Sequence, residues 1–303
     1  MTFPVNTAGA DDGIIIQHFG VEVAVCRADG SVVTVKVKRN SGHVVGDRVT
    51  VQGEVLTRLD RRTVLQRRDV FNKVKPVAAN LDVLGIVVAP QPETPHGFIE
   101  RAVVAARAAG IRPFLLVNKA DFAEAAELSA ALRQLFDTIE PCLIVSAKQP
   151  GSLLALRRFL AECGRAALVG VSGVGKSSLL NALCPGLALP VGDLNEDLQG
   201  AHTSSVSMLM SLPDGGELVD TPGFRDFAPV DVSSEDLSHF FPGFLPILEQ
   251  ASCRFRNCRH RQEPGCAITA AVAQGQMSAE RYQRYLETLS ELEMLEQRLA
   301  RRR

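Results

Sequence analysis

The chain has 303 residues, of which 46% are hydrophobic, and its formal net charge is −1. This length allows two or three domains, and the hydrophobic fraction supplies folded cores, which excludes a disordered chain. No apolar run approaches the roughly 20 residues that span a bilayer, and the first residues lack a signal-peptide pattern. We therefore expect a cytoplasmic protein whose seven cysteines are core residues or metal ligands rather than disulfides.

The small net charge conceals two basic ends and an acidic middle. Residues 1–75 carry a net charge of +4, residues 76–249 carry −9, and residues 250–303 carry +4. This segregation suggests that the ends contact a polyanion, although an ordinary solvated surface would give the same pattern.

Residues from about 13 to 69 are predicted to be all-β. Short segments rich in valine and threonine, separated by turn signals, lie at 21–25, 31–37, 48–52 and 62–65. Several short strands in so few residues predict a small barrel, SH3-like or OB. Because the segment is rich in lysine and arginine but poor in aromatic residues, phosphate contact is favoured over base reading. We assign residues 1–70 to an OB-fold RNA-binding domain.

From about residue 81 the pattern changes to alternating strands and helices. Strands are predicted at 81–89, 113–117, 142–145 and 166–169, and helices at 98–109, 123–136, 153–162 and 177–183. This alternation predicts an α/β domain with a largely parallel sheet at residues 71–230. Ligands of such sheets gather at the carboxyl ends of the strands, where the motifs described next occur.

A GxxxxGK[ST] motif follows the strand at 166–169 and precedes a helix, which is the context that a phosphate-binding loop requires. Its glycines let backbone N–H groups approach phosphate oxygens. Lys176 is predicted to reach the β- and γ-phosphates during catalysis, and Ser177 to bind Mg²⁺. The predicted nucleotide-binding residues of this loop are Gly170, Val171, Ser172, Gly173, Val174, Gly175, Lys176, Ser177 and Ser178.

A second motif predicts that the base is guanine. Asn118, Lys119, Ala120 and Asp121 form NKxD directly after a buried strand. The Asp121 carboxylate can accept hydrogen bonds from the N1–H and N2 amino groups of guanine, which adenine lacks on that edge. Because an unpaired buried polar group costs about 1–3 kcal/mol, Asp121 should favour GTP over ATP. Asn118 is expected to tie this loop to the phosphate loop, and the Lys119 stem to cover the base.

A third loop follows the next strand. Ser146, Ala147 and Lys148 resemble the SAK loop of GTPases, whose backbone N–H contacts guanine O6. Three residues are weak evidence alone, but their position after a strand supports the same binding site.

Two switch segments complete the set. Residues 220–223 fit DxxG; Asp220 is predicted to hold Mg²⁺ through water, and the Gly223 N–H to sense the γ-phosphate. Residues 200–205 are interpreted as the first switch, ordered by γ-phosphate and Mg²⁺. Either Thr203 or Ser204 would complete the Mg²⁺ shell, and the sequence does not choose between them.

Hydrolysis is expected to be slow without a partner. Many GTPases orient the attacking water with a glutamine after DxxG, but Phe224 occupies that place here and can neither donate nor accept. A partner that orders the switches could raise the rate, as GTPase activators do by about 10⁵-fold elsewhere. His202 is the candidate for positioning the water, and an exposed loop histidine without a role is an equally valid interpretation.

The C-terminal segment carries a predicted zinc site. Cys253, Cys258, His260 and Cys266 place four soft ligands within 14 residues, and Cys₃His is a common structural zinc set. Free thiols or a redox pair are the alternatives. A helix is predicted at 278–300, and its packing on the body is favoured over a coiled-coil partner. We assign residues 231–303 to a zinc-knuckle and helical domain.

Four arginines surround the predicted zinc site and suggest contact with the phosphates of a nucleic acid. They are Arg254, Arg256, Arg259 and Arg261.

The motifs occur in a circularly permuted order. Ordinary small GTPases run phosphate loop, switch threonine, DxxG, NKxD, SAK, whereas this chain begins with NKxD and SAK and ends with DxxG. Neighbouring surface termini make such a cut tolerable. Because DxxG now leads directly into the C-terminal segment, the nucleotide state could move that segment.

With these motifs, the chain resembles the RsgA/YjeQ family of small-ribosomal-subunit-dependent GTPases over nearly its whole length. The matching segments are 45–48, 118–121, 170–178, 220–223 and 253–266. The resemblance implies binding to the 30S subunit and 16S rRNA, with subunit-stimulated GTP hydrolysis coupled to late maturation or release of assembly factors. We expect GTP or GDP with Mg²⁺, one structural Zn²⁺, a monomer and no membrane association. The chain departs from the family pattern at Ala201, usually basic, and at residues 203–205, usually threonines.

Two other functions stay open. The protein could be an RNA-binding module that uses GTP only as a structural switch, an interpretation that Phe224 supports. It could also be a metabolic GTPase acting on a small molecule or metal centre, against which the basic ends argue.

Overall fold

The computed structural model describes residues 12–69, 73–186, 207–220, 230 and 232–301. Within these residues, a strand-rich N-terminal part, a central α/β part and a helical C-terminal part follow one another, as the sequence predicts.

The N-terminal strands form a small, partly open barrel of the OB type. They are β1 (Asp12–His18), β2 (Glu22–Arg27), β3 (Val32–Lys36), β4 (Arg48–Gln52) and β5 (Val55–Arg58). Strand β1 pairs antiparallel with both β2 and β4, while β3 and β5 extend the two sides. The β-branched side chains that favour these strands fill the interior, which consists of Ile15, Val23, Val25, Val35, Val49 and Val51.

A hairpin follows the barrel. Strands β6 (Val64–Arg68) and β7 (Val74–Ala79) pair with each other as a separate two-stranded sheet. This hairpin spans the predicted boundary at residue 70, and the three-domain division with limits at 70 and 230 stays a prediction.

The central sheet has a parallel core. Its strands are β8 (Val83–Val88), β9 (Arg112–Val117), β10 (Cys142–Ile144), β11 (Arg165–Val169), β12 (Ser207–Ser211) and β13 (Glu217–Asp220). The order β10-β9-β8-β11-β13 is parallel throughout, and β12 joins antiparallel to β13. Every residue of β8 and β11 is buried, as expected of strands covered on both faces.

Helices cover both faces of this sheet. They are α1 (Phe98–Ala108), α2 (Ala125–Leu135), α3 (Leu154–Cys163) and α4 (Lys176–Leu183). Alternate residues of β8 point to opposite cores: Leu84 and Ile86 pack with α1 and α2, whereas Val83 and Val87 pack with α3 and α4. The predicted helices therefore exist, with ends shifted by one or two residues.

The barrel and the central sheet share hydrogen bonds. Strand β1 pairs with β12, so the barrel continues the central sheet. Beside this junction Arg165 forms a buried ion pair with Glu217 at 2.7 Å and donates to the Gly46 carbonyl at 2.9 Å. Gly46 has φ 88°, and a Cβ there would lie 2.2 Å from the Ala79 carbonyl oxygen, so the turn requires glycine.

The C-terminal part packs on the central domain through α1 and α2. It contains α5 (Leu237–Phe240), α6 (Phe244–Gln250), α7 (Ala267–Ala273) and α8 (Ala279–Ala300). Tyr285 and Leu289 of α8 lie in one apolar cluster with Val104 of α1. The Arg281 side chain donates to the Leu135 carbonyl at the end of α2 and pairs with Asp137. Helix α8 thus packs on the body, and no helix among the described residues has the length and apolarity of a membrane span.

The buried ion pair at the junction generates a stability prediction. In the Glu217→Ala variant, Arg165 would keep its charge in a site only 9% exposed, without the carboxylate that balances it. We expect the free energy of unfolding to fall by about 3–5 kcal/mol in urea denaturation. The matched control is Asp214→Ala, because Asp214 pairs with Arg157 on the surface and such pairs contribute about 0–1 kcal/mol. Equal losses in the two variants would contradict the prediction.

Candidate functional site

The phosphate-binding loop connects β11 to α4 at the carboxyl edge of the sheet. Gly173 and Gly175 have φ angles of 81° and 93°, which favour glycine. A Cβ on Gly175 would lie 2.4 Å from the Asn118 side-chain nitrogen, and one on Gly170 would lie 2.4 Å from the Val87 carbonyl oxygen. The loop is therefore a tightly packed turn in which glycines leave the backbone uncovered by side chains, and such a turn is suited to binding phosphate oxygens through its N–H groups.

The polar side chains of the loop differ in their contacts and exposure. The Lys176 ammonium donates to the carbonyls of Gly170 and Val171 at 2.7 and 2.9 Å, so its charge lies over the loop itself. Ser177 and Ser178 are half-buried in the first turn of α4, and Ser172 is exposed.

The NKxD segment is fastened to the phosphate loop. Asn118 is 2% exposed, and its side-chain N–H donates to the Val174 carbonyl at 2.7 Å across 56 positions of sequence. Val174 is itself fully buried. Lys119 adopts φ 62°, and its ammonium donates to the Gln91 carbonyl at 2.6 Å. The expected tie between the two loops is therefore present in the structure.

The carboxylate of Asp121 is held by the SAK loop. Ser146 Oγ donates to it at 2.7 Å, and the Lys148 ammonium lies 3.3 Å away. The Ser146 hydrogen bond, with support from Lys148, lowers the pKa of Asp121, so the side chain is an ionised acceptor. The Ala120 N–H donates to the Val145 carbonyl at 2.9 Å, and Ala147 follows on the same loop, half-buried.

Asp220 ends β13, the strand next to β11. Burial raises the pKa of this carboxyl group, and the Lys176 charge opposes that rise. The electrostatic effect of Lys176 indicates that Asp220 lies near the phosphate loop, and a partly buried carboxylate there fits Mg²⁺, which prefers oxygen ligands. The predicted residues His202, Thr203 and Gly223 lie outside the described part of the chain, as does Phe224.

The Cys₃His residues of the C-terminal part converge. The ligand atoms of Cys253, Cys258, His260 and Cys266 all lie within 4.8 Å of one another. His260 Nδ1 lies 3.5 Å from the Cys253 sulfur and 3.4 Å from the Cys266 sulfur. Ligands about 2.0–2.3 Å from one tetrahedral ion lie roughly 3.5 Å apart, so this cluster fits Zn²⁺.

Surrounding residues hold the cluster in shape. The Tyr282 hydroxyl donates to the His260 carbonyl at 2.8 Å, and the Ala267 N–H donates to the Cys253 sulfur at 3.3 Å. Glu263 accepts from the backbone N–H groups of Arg259 and Arg261, each at 2.8 Å. Glu263 was not among the residues predicted from the sequence, although its place between the third and fourth ligands is a signal for such a role.

Two of the four arginines near the cluster are already paired. Arg259 pairs with Glu235 at 2.8 Å, and Arg261 pairs with Glu293 at 2.6 Å. The barrel shows the same effect, because Arg61 pairs at 2.6 Å with the fully buried Asp47. These three arginines therefore have partners within the chain, and contact of the basic ends with a polyanion stays a prediction.

Comparisons with known proteins agree with this geometry. The sequence matches the family described as RsgA GTPase over residues 58–229. It is 41% identical to the small ribosomal subunit biogenesis GTPase RsgA of Azotobacter vinelandii over 297 residues, which cover 93% of this chain and 85% of that protein. The protein of that name from Pseudomonas aeruginosa is 40% identical, with 92% and 85% covered.

Solved structures with the same architecture include two proteins. YjeQ from Thermotoga maritima superposes with a TM-score of 0.74 at 27% identity, covering 93% of this chain and 98% of that one. YloQ, described as a circularly permuted GTPase, superposes with a TM-score of 0.68 at 25% identity, covering 93% and 94%. The likeness extends over all three parts of the chain.

Asp121 generates a prediction on base selectivity. In the Asp121→Asn variant, an NH₂ group would replace one of the two carboxylate oxygens. That donor would face the N1–H and N2 amino groups of guanine, which are also donors. Hydrogen bonds to charged groups contribute about 1.5–3 kcal/mol, so we expect GTP affinity to fall roughly 10- to 150-fold in calorimetry, with ATP affinity unchanged. The control is Asp137→Asn, because Asp137 is an exposed carboxylate that pairs with Arg281 of α8. A GTP-to-ATP affinity ratio that Asp121→Asn leaves intact would refute this role.

The Cys₃His cluster generates a prediction on metal content. We expect one Zn²⁺ per chain by elemental analysis of protein purified without chelator. Because metal ligation stabilises a segment with little apolar core, Cys258→Ala should lose that zinc and lower the melting temperature. Cys163→Ala, at a half-buried cysteine outside the cluster, should retain it. Wild-type protein free of zinc would exclude the site.

Proposed function

Because this chain belongs to the RsgA GTPase family and is a GTP-hydrolysing enzyme of ribosome biogenesis, we propose that it binds the 30S subunit through 16S rRNA. We infer that the subunit stimulates its GTP hydrolysis, and that hydrolysis drives late subunit maturation or the release of assembly factors. The observation that carries the enzymatic part is the hydrogen bond from Asn118 to Val174, which sets the base-reading and phosphate-binding loops side by side.

Different residues bind the two ends of GTP, the guanine base and the phosphates. Asp121, ionised and held by Ser146, accepts from the guanine edge, and the SAK loop backbone contacts O6. At the other end, the N–H groups of residues 170–175 and the Lys176 ammonium hold the phosphates. Ser177 and Asp220 would hold Mg²⁺, which would neutralise negative charge on the phosphate oxygens.

The attacking water needs groups that a partner brings into position. Phe224 replaces the glutamine that many GTPases use, and an apolar ring cannot orient water. We propose that the subunit orders the switch segments, so that Thr203 completes the Mg²⁺ shell and His202 positions the water. Slow turnover in the free protein and faster turnover on the subunit follow from that arrangement.

Binding to the subunit is proposed to use both basic ends. Exposed cations of the barrel remain for phosphate contacts, among them Lys36, Lys38, Arg39 and Arg48. The zinc-held loop supplies Arg254 and Arg256. Zn²⁺ has a structural role in this proposal, because all four of its ligands are protein groups. We propose that the protein acts as a monomer in the cytoplasm, where small subunits are assembled.

Turnover measured with and without 30S subunits tests the proposal. We expect GTP hydrolysis to rise at least tenfold with 30S subunits, within the range of up to about 10⁵-fold known for GTPase activation, and not with 50S subunits. Lys176→Ala should remove activity in both conditions. His202→Ala should lose most of the stimulation while retaining GTP affinity.

The two rival functions give different results in the same assay. A slow rate that 30S subunits do not change would favour the RNA-binding module. Binding to 30S subunits that is the same with GDP and with a non-hydrolysable GTP analogue would favour a metabolic GTPase.

A further inference from the structure

The loop between the first two ligands of the Cys₃His cluster presents an exposed aromatic ring. Phe255 lies between Cys253 and Cys258, and 43% of its surface is exposed. The loop is held by hydrogen bonds from the Arg254 N–H to the Gly265 carbonyl at 3.0 Å and from the Cys258 N–H to the Phe255 carbonyl at 3.3 Å. The ring is therefore displayed on a fixed turn rather than buried in the core.

Cations flank this ring. The Arg254 guanidinium carbon lies 5.5 Å from the centre of the Phe255 ring, within the range of a cation–π contact. Arg256, the next residue, is exposed. Among the residues that the structure describes, neither arginine forms an ion pair, whereas Arg259 and Arg261 are paired with glutamates.

The combination of an exposed aromatic ring with guanidinium groups outside ion pairs matches one ligand chemistry. Single-stranded RNA binds to proteins by stacking its bases on aromatic side chains while cations contact its phosphates. Stacking tolerates any base, because every base has a π-face. A loop that is already held by backbone hydrogen bonds loses little conformational entropy when it binds, which suits it to this task.

We propose that Phe255 stacks on an unpaired base of ribosomal RNA, with Arg254 and Arg256 on the adjacent phosphates. The inference rests on the proposed binding to the 30S subunit and names a base contact within it. It also adds a base contact to the phosphate contacts that the sequence suggests for the arginines around the cluster.

The chain contains no tryptophan, which provides a direct test in the full-length, zinc-loaded protein. The Phe255→Trp variant has a single tryptophan at the proposed contact. We expect it to bind 30S subunits as tightly as the wild type and its fluorescence to be quenched on binding. A 12-nucleotide single-stranded RNA should also quench it, and a fully paired duplex should not.

Affinity measured across salt concentrations separates stacking from charge. Phe255→Ala should weaken 30S binding by about 5- to 150-fold without changing the salt dependence. Arg256→Gln should weaken binding and reduce the slope of log affinity against log salt by about one. Leu245→Ala is the control, because Leu245 has the same exposed fraction, 43%, and lies on α6.

Phe255→Leu distinguishes a base from an apolar protein partner. Leucine keeps an apolar side chain but cannot stack, so we expect it to bind as poorly as alanine does. The proposal would be overturned if Phe255→Leu bound 30S subunits as tightly as the wild type, or if the Phe255→Trp fluorescence were unchanged on the subunit. These two variants test the proposal even if Phe255→Ala loses zinc. Failure of the wild type to bind 30S subunits would instead refute the proposed function.

Discussion

The hydrogen bond from the Asn118 amide to the Val174 carbonyl is the contact on which the nucleotide site depends. It is buried, spans 56 positions, and joins the NKxD segment, which we propose reads the base, to the loop that we propose holds the phosphates. Gly175 permits it, since a Cβ there would lie 2.4 Å from the donor nitrogen. Both loops end parallel strands of one sheet, so the order of the motifs along the chain does not alter their positions in space.

The segments on either side of the central domain are attached close to this site. Strand β12 joins β13 to β1 of the barrel, and the Arg165–Glu217 pair stabilises the same junction. At the other side, Arg281 of α8 contacts the end of α2, the helix that follows NKxD. The two basic ends are therefore attached by specific contacts to elements next to the nucleotide loops.

Features that depend on a few neighbouring residues were predictable from the sequence, both in the fold and in the candidate site. Glycines at positive φ define the phosphate loop, and buried runs such as β8 and β11 define parallel strands. Strand β1 was missed because Ile14, Ile15 and Ile16 show no alternation, and its place depends on pairing with β12, far along the chain. The ion pairs of Arg259 and Arg261 were also missed, since their glutamate partners lie 24 and 32 positions away and only packing brings them close.

The most direct test of the central claim is calorimetric titration of the wild-type chain with GTP and with ATP in the presence of Mg²⁺. If Asp121 and Lys176 contact opposite ends of one nucleotide, GTP binds at one site per chain and at least tenfold more tightly than ATP. Equal affinities for the two nucleotides, or no binding of either, would contradict the account.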